Sequence, residues 1–162
     1  MPIELYRIDD RLVHGQVVVG WGQPLDITFV VLVDDVIASS EWEQELYSMG
    51  APPEMKVTFE SVDSALAALS HYQTRPDHGI LLTGDVETMR RLVERSGTIH
   101  QVNLGGIHHR AGRTARLRYV FLSPDEETSL RELAATGLVI TAQDVPSASP
   151  VPLEQVLAGT GE

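Results

Sequence analysis

The sequence predicts an α/β fold: one domain, residues 1–162, with a mainly parallel open sheet of six to seven strands and helices on both faces. Three observations carry this reading. Strand-like and helix-like patterns alternate along the whole chain, the rhythm of parallel strands joined by helical crossovers. The segments 27–33 and 79–82 are apolar and rich in branched side chains, as strands covered on both faces are. No internal repeat, low-complexity tract or long linker interrupts the pattern.

The elements follow in order. Residues 3–8 read as a first strand, 9–14 as the loop after it, and 15–21 as a short helix. The strand 27–33 ends at Asp34-Asp35. Ser39 or Ser40 caps a helix running to about Met49, on which Trp42, Leu46 and Met49 fall at helical spacing and read as core. Gly50-Ala51-Pro52-Pro53 stops it. Residues 56–60 form a strand, and Ser61 caps a helix carrying Ala65, Leu66 and Leu69. The strand 79–82 precedes a helix at 86–94 with Met89, Leu92 and Val93 inward. The strand 101–104 ends in Gly105-Gly106, and 116–122 alternates as a further strand. Ser123-Pro124-Asp125-Glu126 opens a helix with a cap, a proline in its first turn and acids at its positive end. That helix stops at Gly137, 138–141 is a last strand, and 147–152 is a proline-rich loop before a short tail helix.

Composition removes several function classes. With no cysteine, thiol catalysis, disulfides and cysteine zinc sites are excluded. Twelve basic against 23 acidic residues give a formal charge of −11, a surface that repels a phosphate backbone and argues against nucleic acid as a partner. Lys56 is the single lysine, so phosphate recognition would have to rest on arginine. The N-terminus lacks a basic stretch followed by an apolar run, and the longest apolar run is far short of the roughly 20 residues of a spanning helix. The expectation is a cytoplasmic protein.

In an open parallel sheet, ligands bind at the carboxyl ends of the strands. The richest such loop here is Asp9-Asp10-Arg11-Leu12-Val13-His14-Gly15. A neutral imidazole can attack phosphorus. The phosphohistidine that forms needs cationic donors and free backbone N–H groups, which Arg7, Arg11 and a helix opening at Gly15-Gln16 could supply. Asp9 and Asp10 could orient the arginines or fix the imidazole tautomer. Spacing alone leaves open the plainer reading of a capping loop with structural ion pairs.

The string Arg7-Ile8-Asp9-Asp10-Arg11-Leu12-Val13-His14-Gly15-Gln16-Val17 closely resembles the phosphorylation-loop signature of the IIB proteins of the mannose/fructose/sorbose class of the sugar phosphotransferase system. The resemblance continues through Trp21, Val33-Asp34-Asp35-Val36, Glu41-Trp42, Ala51-Pro52-Pro53, Asn103-Leu104-Gly105-Gly106-Ile107-His108 and Val120-Phe121-Leu122-Ser123. It implies that His14 takes a phosphoryl group through Nδ1 from a phosphohistidine on a IIA partner and passes it to a sugar entering through the IIC and IID membrane subunits. It further implies that Arg11 clamps the phosphoryl group with Arg7 as a second arginine, and that Asp9 and Asp10 buttress the loop. No metal or organic cofactor is implied, and contact with the membrane would be peripheral, through the transporter alone. The alternative within the same resemblance is a regulatory phospho-carrier that serves no sugar transport.

Other residues carry less. Gly105-Gly106 suggests a close backbone approach to the first loop, with His108, Arg110 and Arg113 on the site rim. Arg7, Arg11, Arg110 and Arg113 are expected to form a local basic ring around His14 for the partner. Adjacent His108 and His109 lack the further ligands of a metal site. Asp34-Asp35 would suit a receiver-type acidic pocket only with a lysine at a later strand end, and Lys56 instead begins a strand. A nucleotide-binding enzyme is opposed by the absence of a glycine fingerprint after the first strand. His71, His78 and His100 read as solvated.

Overall fold

The computed structural model describes residues 2–159, apart from the side chains of Gln16 and Val17. The chain runs β1 (Ile3–Ile8), α1 (Gly15–Gly22), β2 (Phe29–Val33), a 3₁₀ turn (Ile37–Ser39), α2 (Glu41–Ser48), β3 (Lys56–Glu60), α3 (Val62–Gln73), β4 (Gly79–Thr83) and α4 (Val86–Ser96). It continues with β5 (Gln101–Leu104), β6 (Thr114–Leu117), β7 (Val120–Leu122), α5 (Pro124–Ala135), β8 (Val139–Ala142), β9 (Val151–Pro152) and α6 (Leu153–Leu157).

Seven strands form one sheet in the order β3-β2-β4-β1-β5-β8-β9. All neighbours pair in parallel except β9, which runs antiparallel to β8 at the edge. The branched apolar run of β2 explains its place inside the sheet: all five of its residues are buried. Phe29, Val31 and Val33 enter a cluster with Val62, Leu69, Met89, Leu92 and Leu130, whereas Val30 and Leu32 enter a second cluster with Val13, Val18 and Trp21. A strand whose successive side chains feed two separate cores must be apolar at every position, because the period of 2 exposes neither face.

The helix starts were legible in the caps. Ser40 Oγ accepts from Glu43 N, Ser61 and Ser64 form a reciprocal capping box, and Ser123 forms one with Glu126 behind Pro124. Left-handed Gly97 and Gly137 follow the ends of α4 and α5.

Three expectations differ from the structure. Residues 116–122 are not one sheet strand but most of a separate antiparallel hairpin, β6–β7, which turns at Arg118-Tyr119. Alternating polarity passes through the tight turn, so periodicity alone cannot see the reversal. Val151-Pro152, read as loop, adds the antiparallel edge strand, a position at which a sheet tolerates proline. Finally, α2 buries none of its residues, and Trp42, Leu46 and Met49 point outward instead of into the core. The inner side of α2 is set by polar chemistry. Gln44 Nε2 donates to the carbonyl oxygens of Ile37 (3.0 Å) and Ala38 (3.1 Å), and Tyr47 packs on the second core.

Candidate functional site

The loop after β1 sits at the carboxyl edge of the sheet between β4 and β5, and both neighbours hold it. Asp9 N donates to Thr83 O at 2.9 Å, and Asp10 N donates to Gly106 O at 2.8 Å. Leu12 takes a left-handed conformation (φ 55°), rare for a branched residue, and is buried against the second core. His14 N then donates to Leu12 O (2.9 Å), and His14 O accepts from Val18 N (2.9 Å), which starts α1. His14 is exposed, and the first turn of α1 opens on the next residue, Gly15. The first N–H groups of a helix have no partner within it. Gln16 also lies in that turn, and its side chain is outside the described residues.

Beneath this loop lies a buried charge network. Asp9 is fully buried and accepts four hydrogen bonds: from Arg11 N (3.1 Å), Arg11 Nε (2.9 Å), one Arg11 terminal nitrogen (2.7 Å) and an Arg7 terminal nitrogen (3.1 Å). Burial pushes the Asp9 carboxyl up, but hydrogen bonds from Arg11 and the charges of Arg7 and Arg11 outweigh it and hold it below the usual carboxylate range. Arg11, about a quarter exposed, is thereby fixed by its forked edge, and its other terminal nitrogen bonds no described residue. It also lies 3.5 Å from Asp144 Oδ1. The bond to Asp9 raises the Arg11 pKa above its ordinary value, so the guanidinium stays charged.

Arg7 behaves differently from the expectation of a phosphate ligand. Its side chain is fully buried, and both terminal nitrogens are engaged. They donate to Asn103 Oδ1, Gln143 O (2.8 Å), Asp9 Oδ2 (3.1 Å) and Asp144 O (3.2 Å), while the guanidinium carbon lies 4.8 Å from the Trp21 ring centroid. No terminal N–H remains for a phosphoryl group. The side chain instead ties β1 to the ends of β5 and β8 and charges the floor of the site.

The double glycine is explained by this network. A Cβ on Gly105 would overlap the Arg7 guanidinium and the Asp9 carboxylate, and one on Gly106 would press on Arg11 Nε (3.2 Å) and Asp9 Oδ1 (3.3 Å). Two residues past Gly106, His108 donates its N–H to Asp10 Oδ2 (2.7 Å) and sets its Nδ1 against Asp10 Oδ1, so Asp10 clips the two loops together.

The expected ring of four arginines does not form. Arg7 is buried, and Arg113 is committed to Glu126 through two bonds (2.9 and 2.8 Å) and to His108 O (2.7 Å), which anchors the loop after β5 to the start of α5. Arg110 is exposed. Arg118, at the hairpin turn, lies 3.6 Å from the other oxygen of Asp144, so one carboxylate stands between Arg11 and Arg118. No group of three metal-ligating side chains occurs among the described residues.

Sequence reasoning gave no site role to Asn103, the Gln143 carbonyl, Asp144 or Arg118. A signal existed for two of them. Asn103 is an amide between the apolar residues of a strand legible in the sequence, and Asp144 lies just past the end of β8, where the strand-end rule applies as well as it does after β1. Arg118 gave none, because it reaches the site only through the unforeseen hairpin.

The comparisons bear on the same architecture. The family model described as "PTS system sorbose subfamily IIB component" matches residues 3–161. The sorbose-specific EIIB component of Klebsiella pneumoniae is 30% identical over 147 residues, covering 91% of this chain and 90% of that protein. The N-acetylgalactosamine-specific enzyme IIB component 1 of Escherichia coli is 32% identical, covering 89% and 91%. The mannose-specific EIIAB component of E. coli is 28% identical over 90% of this chain and 45% of that longer protein. Among solved structures, the IIBSor domain of the K. pneumoniae sorbose permease superposes with a TM-score of 0.87 at 29% identity, covering 98% of each chain. No helix among the described residues is long and apolar enough to cross a membrane. Matched by the family model over residues 3–161 and by the sorbose IIB structure in fold, this chain belongs to the sorbose-subfamily IIB components of the sugar phosphotransferase system, the phosphotransferases that act as phosphoryl carriers in that system.

Proposed function

We propose that His14 is the residue that carries the phosphoryl group, accepting it from the phosphohistidine of a IIA component and handing it to a sugar entering through IIC and IID subunits. The observation that carries the reading is the pairing of an exposed histidine at the start of a helix with an arginine three residues earlier that is locked from behind by a buried aspartate. The EIIAB relative, whose name joins IIA to IIB, supports IIA as the donor.

In the transfer, a lone pair on the His14 ring attacks phosphorus, the bond from phosphorus to the donor nitrogen breaks, and that electron pair stays on the donor imidazole. The entering and leaving nitrogens lie in line, and negative charge spreads over the three other oxygens. In this reading, the Arg11 terminal nitrogen that bonds no described residue and the first N–H groups of α1, from Gly15 and Gln16, are the donors that meet those oxygens. Asp9 and Arg7 keep Arg11 from moving. This pre-organisation spares the reaction the cost of collecting donors at the moment of transfer.

The test uses radiolabelled phospho-IIA as donor. Wild type is expected to take up acid-labile, alkali-stable label, and His14→Ala to take up none while its thermal midpoint stays within a few degrees of wild type. Labelling of the alanine variant at the wild-type rate would overturn the assignment.

A further inference from the structure

We propose that the exposed apolar face of α2 is the docking surface for the phosphoryl-donor protein, a IIA component that presents an apolar patch bordered by basic side chains. The inference rests on the carrier role of His14 and deepens it by placing the donor on one side of the site.

Among the described residues, Met49, Trp42 and Val36 are the most exposed large apolar side chains (83%, 71% and 68%), and Leu46 is half exposed. Trp42, Leu46 and Met49 are spaced four and three residues apart, so they share one face of the helix. That face is turned outward because Gln44 and Tyr47 hold the other one. A tryptophan left in water next to a leucine and a methionine is the composition of an interaction surface, not of ordinary solvated helix.

The location connects this face to the chemistry. Gly50, directly after Met49, packs so closely on the loop after β1 that a Cβ there would stand 2.7 Å from Val13 O, the carbonyl of the peptide bond into His14. The apolar stripe therefore ends against the phosphorylation loop. Any protein that brings a phosphohistidine to His14 covers this neighbourhood, so the stripe is continuous with the surface that transfer requires.

Charge selects among the occupants. The stripe is flanked by Glu41, Glu43 and Glu45, and α2 carries no basic residue. A second copy would bring the same acids face to face in a chain of net charge −11, and an anionic lipid surface would be repelled in the same way. A partner with basic residues around an apolar centre fits. The stripe is one two-turn helix, which suits a small, transient interface that releases after each transfer.

The experiment follows labelling by phospho-IIA in wild type and in the Trp42→Ala, Leu46→Ala double variant, with thermal unfolding as a check on the fold. Both side chains are at least half exposed, so the variant is expected to remain folded. The KM for phospho-IIA is expected to rise roughly 10- to 100-fold, with the rate at saturating donor within twofold of wild type. Adding unphosphorylated IIA is expected to shift the fluorescence of Trp42 to the blue in wild type. An unchanged KM in the double variant, beside a wild type that labels normally, would overturn the docking surface and leave the carrier role intact. Unchanged donor kinetics with slower hand-over to the membrane subunits would place the acceptor there instead, and a wild-type dimer dissolved by the variant would place a second copy there. Either result overturns the proposal. If wild type takes no label from phospho-IIA at all, the carrier role itself fails and the docking surface with it.

Discussion

Replacing Asp9 with asparagine tests whether the buried charge network is what holds the site. The carboxylate is fully buried and accepts two bonds on each oxygen: Arg11 N and Nε on one, terminal nitrogens of Arg7 and Arg11 on the other. An asparagine keeps one acceptor oxygen. Whichever way the amide is turned, its NH₂ then faces two donors, so two of the four bonds become donor–donor contacts. Arg7 is also left fully buried with no carboxylate in contact, since its remaining partners are an amide and two backbone carbonyls. Removing one member of a buried ion pair costs about 3–5 kcal/mol. For a chain of this size each kcal/mol lowers the thermal midpoint by about 2–4 °C, so Asp9→Asn is expected to lose about 6–20 °C by circular dichroism at pH 7. Asp10→Asn is the control. Asp10 pairs with the exposed His108 at the loop surface, so its loss is expected to stay within about 1 kcal/mol. The pH dependence has a definite sign. The Asp9 carboxyl is held below its ordinary value, so its stabilisation is complete above the ordinary aspartate pKa of about 3.9 and is lost as pH falls below it. The gap between wild type and Asp9→Asn in urea midpoint is therefore expected to be full at pH 7 and smaller at pH 3. A loss under about 1 kcal/mol at pH 7, or a gap that widens in acid, would refute the reasoning.

Two further substitutions probe the same site. Arg11→Lys keeps the charge but loses the fork that grips both oxygens of Asp9, and phosphotransfer from saturating phospho-IIA is expected to slow by about 10- to 1000-fold; a rate within twofold of wild type would make Arg11 structural. Gly105→Ala inserts a methyl where the Arg7 guanidinium and Asp9 carboxylate already lie, and is expected to cost about 1–3 kcal/mol in urea unfolding, whereas Gly112→Ala, which meets no neighbouring atom but has φ +87°, gives the cost of backbone strain alone for comparison.

The sequence by itself determined the fold class, the order of the main elements and the loop that holds the candidate chemistry. Each of these is written in local terms. An uninterrupted apolar strand at 29–33 has to lie between two covered faces, and Ser61 and Ser123 announce their helices through bonds made within three residues. His14, Arg11 and Asp9 lie within six consecutive residues, so no folding is needed to bring them together. Tertiary structure decided what each polar side chain does once there. Arg7 and Arg11 look alike in the sequence, yet the meeting of β1, β5 and β8 surrounds one with acceptors and leaves the other a terminal nitrogen that bonds no described residue. Asp144 and Arg118 join the site from 133 and 107 residues beyond Arg11 because a sheet edge and a hairpin turn converge there. The orientation of α2 was likewise settled at a distance. Its spacing specified a stripe, but the carbonyl oxygens of Ile37 and Ala38 took Gln44 and turned that stripe outward. Periodicity defines a face; only the groups waiting on the rest of the molecule decide which face they bind.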